Sequence, residues 1–160
     1  MMQKIYFIIA TFFGSGLAKK APGTFGSLAT LPFAFLMAYF FGFNGIFYAT
    51  VITFLIGAFA VKKVTQNLNE RDPGKIVIDE TAGQLTSFLL VANYLQNNLS
   101  WTAFLVYALG FGLFRLFDIA KFGPVEWADT KLENEWGVML DDIFAGLFAT
   151  IVLMFFVSGL

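Results

Sequence analysis

Long apolar runs, separated by polar turns and loops, dominate this chain. The runs cover residues 27–41, 46–61, 80–94, 101–117 and 138–157. A straight transmembrane helix needs about 20 apolar residues, and several of these runs are shorter. Tilting, interfacial ends or local thinning of the bilayer accommodate such lengths. The pattern predicts one all-α domain over residues 1–160, a polytopic membrane bundle with about four to five embedded helices.

An additional apolar run, from Ile5 to Phe13, precedes the bundle. It is too short to cross a bilayer, and it lacks the small-residue cleavage site of a signal peptide. We therefore predict an interfacial or re-entrant helix at the N-terminus.

Charged residues are sorted between the two ends of the predicted helices. The turns at 42–45 and 95–100 carry no charge, whereas the loops at 62–80 and 118–140 are rich in charge. Because Lys and Arg are enriched in cytoplasmic loops, the charged end is predicted to face the cytoplasm of a bacterial inner membrane. Every candidate reactive group then lies at one membrane surface.

Composition removes several kinds of chemistry. Hydrophobic residues make up 58% of the chain and charged residues 13%, with a net charge of −1, so a nucleic-acid partner is not expected. The chain contains neither Cys nor His, which excludes disulfides, thiol chemistry and His-based catalysis or metal ligation. Carboxylates, Lys, Arg, hydroxyls and an oxygen-bound metal remain.

Two acidic pairs, Asp79-Glu80 and Asp141-Asp142, stand at the predicted starts of apolar helices. Acidic residues favour helix N-termini through the helix dipole, so ordinary capping is the alternative explanation. Ionisable groups at membrane depth are nevertheless costly and tend to be functional.

A short pattern is shared by the two pairs. Asp79 and Asp142 are each followed by x-x-Ala-Gly, which puts Gly83 and Gly146 one turn further along the same helix face. Small residues let membrane helices approach closely. Four clustered carboxyl groups would repel one another unless a cation joined them, and oxygen ligands favour Mg²⁺. Preferred ligands are the four acids of the two pairs, followed by Asp118 and Asp72.

Arg115, Asp118 and Lys121 form a stripe at the charged end of a predicted helix. Cations often stand at helix C-termini for electrostatic reasons alone. Next to a metal, however, Arg115 and Lys121 would clamp a phosphate ester.

The segment from Pro22 to Ser27 predicts a loop that leads into a helix. Thr24 and Ser27 are good N-cap residues, and the helix start is also a possible phosphate site.

Five blocks of the sequence, in this order, resemble the bacterial phosphatidylglycerophosphatase A family. They are Gly14-Ser15-Gly16, Pro22-Gly23-Thr24-x-Gly26-Ser27, Asp72-x6-Asp79-Glu80-x-x-Gly83, Phe114-Arg115-x-Phe117-Asp118-x-x-Lys121-x-x-Pro124 and Gly137-x-x-x-Asp141-Asp142-x-x-Ala145-Gly146. The resemblance implies a Mg²⁺-dependent inner-membrane phosphatase that converts phosphatidylglycerophosphate to phosphatidylglycerol during phospholipid biosynthesis.

With that reading, the expected roles divide into three sets. Catalytic residues are Asp79, Glu80, Asp118, Asp141 and Asp142, phosphate is bound by Thr24, Ser27, Arg115 and Lys121, and the metal by Asp79, Glu80, Asp141, Asp142 and Asp72. Which acid acts as nucleophile or general base stays open, as does the oligomeric state. Membrane lipids are the expected partners, in addition to the lipid substrate.

Other functions remain as alternatives. A small cation transporter or channel would use acidic residues, but normally near the bilayer midplane. A CDP-alcohol phosphotransferase would carry a longer Asp-rich signature, which this chain lacks. A scaffold protein would not need paired acids beside small residues.

Overall fold

Helices joined by short turns form the described chain, residues 2–66, 73–132 and 134–159 of a computed structural model. They are α1 (Met2–Ala10), α2 (Pro22–Thr65), α3 (Ile78–Thr86), α4 (Ala92–Leu95), α5 (Trp101–Ala120), α6 (Pro124–Lys131) and α7 (Glu135–Ser158). Single turns of 3-10 helix lie at Ser15–Leu17 and Leu89–Val91. The predicted all-α class is confirmed, because the described ranges contain no strand.

Three helices, α2, α5 and α7, are long and apolar enough to cross a membrane. Large apolar side chains on these helices point outward; for example, Phe40, Phe104 and Phe155 are 59%, 59% and 69% exposed. An apolar surface of this extent suits hydrocarbon rather than water. The prediction of a polytopic membrane bundle is therefore confirmed.

Helix α2 is a hairpin of two arms that meet at Gly42. Gly42 has φ 55° and ψ −136°, a conformation that glycine adopts without strain. Beyond it the chain turns back, so that a Cβ at Gly45 would lie 2.3 Å from the carbonyl oxygen of Met37. The predicted helical hairpin, with its uncharged turn, is confirmed.

Both uncharged turns lie at the same end of the bundle. The backbone N–H of Asn97 donates to the Tyr39 carbonyl at 3.1 Å, and the N–H of Phe43 donates to Asn93 Oδ1 at 2.9 Å. At the opposite end, Lys62 pairs with Glu135 at 2.9 Å. The sorting of charge along the sequence is thus a sorting of charge between two ends of the molecule.

The third apolar run is the clearest departure from prediction. Instead of one helix over residues 80–94, α3 ends at Thr86 and all its residues except Glu80 are buried. The Ser87 hydroxyl donates to the Gln84 carbonyl at 2.6 Å, and the N–H of Leu90 donates to Thr150 Oγ1 at 3.0 Å. Where a helix is interrupted inside a membrane protein, side-chain hydrogen bonds of this kind replace the missing backbone hydrogen bonds. Helix α3 is an interior helix and not a membrane span.

Two boundaries near the second charged loop also differ. Helix α6 lies within residues 118–140, which we predicted as a loop; it begins at Pro124 and buries Val125 and Ala128 against the bundle. Helix α7 begins earlier than expected, where Asn134 Oδ1 accepts the N–H of Trp136 at 3.1 Å. Pro at a first helical position and Asn as an N-cap are both ordinary start signals.

The N-terminal segment braces the chain that leads into α3. The N–H of Val77 donates to the Ala10 carbonyl at 2.9 Å. Gly16 lies so close to the Lys75 carbonyl that a Cβ there would be 2.1 Å from the oxygen. This contact fixes where α3 begins, and therefore where its first acidic residues stand.

Candidate active site

Helices α3 and α7 press together at the two predicted glycines. A Cβ at Gly146 would lie 2.3 Å from the Gly83 carbonyl oxygen, and a Cβ at Gly83 would lie 2.6 Å from the Asp142 carbonyl oxygen. Only glycine permits this separation, because any other residue would force the backbones apart. The predicted close approach of the two helices is confirmed.

Three carboxylates meet above this contact. Asp79, Glu80 and Asp142 each offer an oxygen, and these oxygens lie within 4.8 Å of one another. Asp79 and Asp142 are only 6% and 3% exposed, while Glu80 is partly buried. The cluster lies at the charged end of the bundle, since Asp79 and Glu80 occupy the first turn of α3.

Asp141 has a different position from the other three acids. Its Oδ2 lies 3.0 Å from Lys121 Nζ, which also contacts Asp129 Oδ1 at 2.8 Å. Its Oδ1 accepts the N–H of Asp142 at 3.0 Å, just as Asp79 Oδ1 accepts the N–H of Glu80. We expected four clustered carboxyl groups, whereas the structure gathers three and directs the fourth to a lysine.

Lys121 is therefore held between two acids at the end of α5. Burial of the ammonium opposes its charge, but hydrogen bonds and attraction from Asp129 and Asp141 outweigh this and raise the pKa of Lys121. Lys121 stays charged over the whole range around neutrality, and its partners in this structure are the carboxylates of Asp129 and Asp141.

The position of Asp141 and Asp142 within α7 bears on why they are acidic. We predicted that they begin the helix, but α7 begins at Glu135, so they stand well beyond its first turn. The helix dipole acts mainly within the first turn. Capping thus explains neither residue, and two buried acids in a membrane helix require charged partners.

Arg115 and Asp118 bring α5 to the same cluster. Arg115 Nη1 lies 2.6 Å from Asp118 Oδ2. A Cβ built on Gly23 would lie 3.3 Å from this nitrogen and 2.1 Å from Glu80 Oε1, so both side chains reach Gly23. Arg115, Asp118, Glu80 and the start of α2 therefore converge.

Electrostatics at this point favours a cation. Burial raises the pKa of Glu80, the negative charge of Asp118 raises it further, and a hydrogen bond between Glu80 and Asp79 and the charge of Arg115 oppose the shift. Oxygen ligands gathered at this distance suit a hard divalent ion. The buried acidic cluster fits a metal ion.

The start of α2 supplies backbone donors beside Arg115. The helix begins at Pro22, and its first turn closes with the N–H of Phe25 donating to the Ala21 carbonyl at 3.2 Å. The N–H groups of Gly23 and Thr24 precede that bond and are suited to an anion.

Thr24 and Ser27 are not N-caps, because both lie inside the helix. Ser27 is buried and its hydroxyl donates to the Gly23 carbonyl at 2.8 Å. Asp72, the remaining predicted ligand, lies outside the described residues.

One residue of this region has no counterpart in the sequence prediction. Asp129 contacts Lys121 from α6, and no spacing rule connects the two because a left-handed turn at Lys121 separates their helices. Its only signal in the sequence is its place in an acid-rich loop.

Buried carboxylates beside a guanidinium, at one end of an apolar helical bundle, can hold a metal ion and a phosphate ester at a membrane surface, as a membrane-embedded phosphatase requires. The particular family follows from comparison with known proteins. The family model for phosphatidylglycerophosphatase A matches residues 8–157, and the chain belongs to that family. It is accordingly a lipid phosphatase, a hydrolase of phosphoric monoesters.

Relatives support the same assignment. A phosphatidylglycerophosphatase A of Haemophilus influenzae is 38% identical over 91% of this chain and 85% of its own length. One of Escherichia coli K12 is 32% identical over 96% of this chain and 84% of its own. A putative phosphatidylinositol-3-phosphatase of Bacteroides thetaiotaomicron is 33% identical over 91% of this chain and 89% of its own. No solved structure matches the chain.

Proposed function

We propose that this protein removes the terminal phosphate of phosphatidylglycerophosphate to give phosphatidylglycerol, as a step of phospholipid biosynthesis in the bacterial inner membrane. The names of two relatives support the substrate. The observation that carries the proposal is the meeting of Asp79, Glu80 and Asp142 beside Arg115 at one end of the bundle. A lipid phosphomonoester presents its charge at that depth of the membrane.

We assign the cation as Mg²⁺ and its ligands as Asp79, Glu80 and Asp142. Their buried oxygens form a compact hard-ligand set. When bound, Mg²⁺ supplies positive charge for the phosphoryl oxygens and lowers the pKa of water. Asp141 supports this set indirectly, since it accepts the N–H of Asp142 and holds Lys121.

Arg115 is assigned to the phosphate. Its guanidinium stands next to the free N–H groups of Gly23 and Thr24, so a phosphate bound there would meet donors from two helices. Asp118 holds Arg115 in place through the 2.6 Å ion pair. Asp118 is not one of the three proposed ligands, although its side chain contacts that of Asp142, and we assign it to accept the proton of the attacking water.

The charged end, with this site, is proposed to face the cytoplasm. Lys19, Lys20, Lys62, Lys63 and Lys75 all belong to that end, and the two turns at the other end carry no Lys or Arg. The acidic cluster therefore lies away from the middle of the bundle. This position, together with family membership, disfavours the alternative of a cation transporter or channel.

Phosphate release by the purified full-length protein in lipid nanodiscs tests the proposal. With Mg²⁺ present we expect release from phosphatidylglycerophosphate, and none after EDTA. Phosphatidylinositol 3-phosphate serves as the competing substrate, because one relative is named for it. A preference for that lipid would reassign the substrate, and activity unchanged by EDTA would remove the metal.

Asp142→Asn is the matched variant for the site. It keeps the shape of a buried residue but removes the charge, so we expect activity to fall at least about 100-fold while the helical circular dichroism is unchanged. Glu126→Gln, an exposed acid on α6, is the control and should keep full activity.

A further inference from the structure

Polar atoms without partners are concentrated along one seam of the bundle. In the described part of the chain, the buried side-chain atoms that lack a hydrogen bond are Thr50 Oγ1, Glu80 Oε2, Gln84 Oε1, Tyr107 OH, Arg115 Nε and Arg115 Nη1. All but the Thr50 hydroxyl belong to α3 or α5. Arg115 Nη1 forms an ion pair with Asp118, but the geometry of this contact is not that of a hydrogen bond.

The seam is defined by contacts at its two ends. At the charged end, Glu80 and Arg115 meet at Gly23. Two turns further into the bundle, Phe88 lies against Gly110 and its ring is 5.2 Å from that of Tyr107. Gln84 is one helical turn from Glu80 on the same side of α3, and Phe88 follows it just beyond the end of that helix, so Gln84 lies between the two ends in sequence.

The orientation of the Gln84 carboxamide is fixed by its neighbour. The Ser87 hydroxyl donates its proton to the backbone carbonyl oxygen of Gln84 at 2.6 Å. Ser87 Oγ can therefore only accept further hydrogen bonds. Gln84 Nε2 donates to that oxygen at 2.9 Å. The carboxamide nitrogen therefore faces Ser87, and Oε1 is directed away from Ser87 as a buried acceptor without a donor; Gln84 is fully buried.

Two unpartnered acceptors, Glu80 Oε2 and Gln84 Oε1, thus stand four residues apart on one helix face, where side chains are neighbours. Neither can donate to the other when Glu80 is ionised. A buried acceptor without a hydrogen bond destabilises the folded protein, and a single water can serve two acceptors because it carries two protons.

We propose that Gln84 is a positioning residue of the hydrolytic site, whose carboxamide oxygen accepts a hydrogen bond from an ordered water that also donates to Glu80 Oε2. The water holds the Glu80 carboxylate from its inner side, while the other oxygen, Oε1, stands at Gly23. Outer groups that orient a metal ligand typically change metal affinity about 10–100-fold. This inference rests on the proposed role of Glu80 as a ligand.

Direct titration with Mn²⁺, followed by electron paramagnetic resonance without substrate, measures this role separately from catalysis. Gln84→Met has nearly the same length but no acceptor, and we expect its Mn²⁺ dissociation constant to rise about 10-fold. Thr86→Val is the control on the same helix. It removes a buried hydroxyl that donates to the Ala82 carbonyl, and it should bind Mn²⁺ as the wild type does.

Each outcome has a separate meaning. Wild-type protein that does not bind Mn²⁺ would overturn the metal assignment itself. If the wild type binds and Gln84→Met binds equally well, or if Thr86→Val weakens binding as much, the role of Gln84 is wrong.

A second measurement does not depend on a folded variant. A high-resolution structure of the wild type should show a water within about 3.2 Å of both Gln84 Oε1 and Glu80 Oε2. A protein donor or a metal ion at Gln84 Oε1, or no solvent there, would contradict the proposal.

Discussion

The carboxylate of Glu80 occupies the space in which a side chain at Gly23 would begin. A Cβ at Gly23 would lie 2.1 Å from Glu80 Oε1 and 3.3 Å from Arg115 Nη1. The first turn of α2 can therefore approach the acidic cluster only because residue 23 lacks a side chain. This contact joins the proposed phosphate donors of one helix to the proposed metal ligands of another.

Gly23→Ala should consequently abolish most phosphatase activity while the protein still folds. The methyl group displaces the Glu80 carboxylate, which changes the site more than the stability, because overpacking costs about 1–3 kcal/mol. Activity and thermal unfolding in nanodiscs measure the two effects. Gly112→Ala is the control, since a Cβ there would have no atom from outside its own stretch of helix within 4 Å. Equal activity in the two variants would show that Glu80 has freedom to move.

The raised pKa of Glu80 predicts an unusual pH dependence of stability in the absence of metal. A carboxyl group whose pKa is raised by burial binds its proton more tightly when folded, so the free energy of unfolding falls as pH rises above the ordinary value of 4.5. In EDTA, unfolding should be harder at about pH 5 than at about pH 8.

Adding a divalent cation should remove that difference, because it neutralises the ionised carboxylate. Glu80→Gln should have a flatter profile in EDTA, whereas Glu126→Gln should keep the wild-type slope. A stability that rises with pH in EDTA would contradict the electrostatic account of the cluster.

The pairing of Lys121 with two acids predicts unequal effects of its partners. Asp129→Asn removes a half-exposed pair and should cost about 0.5 kcal/mol. Lys121→Met leaves the Asp141 carboxylate, which is largely buried, without its cation and should cost about 1–3 kcal/mol. Because the lysine pKa is raised, this stability is present at neutral pH and is lost as pH rises beyond the ordinary lysine range. Chemical denaturation of the two variants compares them, and equal losses would contradict the structure.

The orientation of the bundle can be tested by labelling, since the chain has no native cysteine. Asn44→Cys and Lys75→Cys place exposed thiols at the uncharged and charged ends. In intact cells, a membrane-impermeant maleimide should label residue 44 but not residue 75, and in inverted vesicles the reverse is expected. Labelling of both positions from one side would disprove the proposed topology.

Much of the fold could be predicted from the sequence because apolar length and charge placement are strong constraints in a membrane. The hairpin at Gly42 and the contact between Gly83 and Gly146 both follow from local signals, an uncharged Gly-containing turn and a repeated small-residue pattern. The interruption after Thr86 could not be predicted. One of the two side-chain bonds at this break comes from α7, where the Thr150 hydroxyl meets the N–H of Leu90 only once the bundle has formed.

Some contacts of the candidate site could likewise be predicted from local sequence signals, whereas others depend on residues far apart in the chain. The gathering of Asp79 and Glu80 near Asp142 follows from the packing of their helices, which the glycines indicate. The pairing of Asp141 with Lys121 could not be predicted in this way. Lys121 ends α5 in a left-handed conformation, and it also pairs with Asp129, which lies on α6, a helix that we predicted as a loop. Gln84 gave no signal at all, since a single amide in an apolar run has many ordinary explanations.

The joined turns at the uncharged end also bear on how this protein enters its membrane. Tyr39 and Asn97, and likewise Phe43 and Asn93, are bonded through backbone and amide groups alone. Whichever loops cross the bilayer during synthesis, these two carry only amides and hydroxyls, whose transfer through hydrocarbon is far less costly than that of an ion. With the charged end in the cytoplasm, as proposed, the acids and bases of the proposed site do not have to be translocated. Insertion of the chain and assembly of its site then make no opposing demands on the same residues.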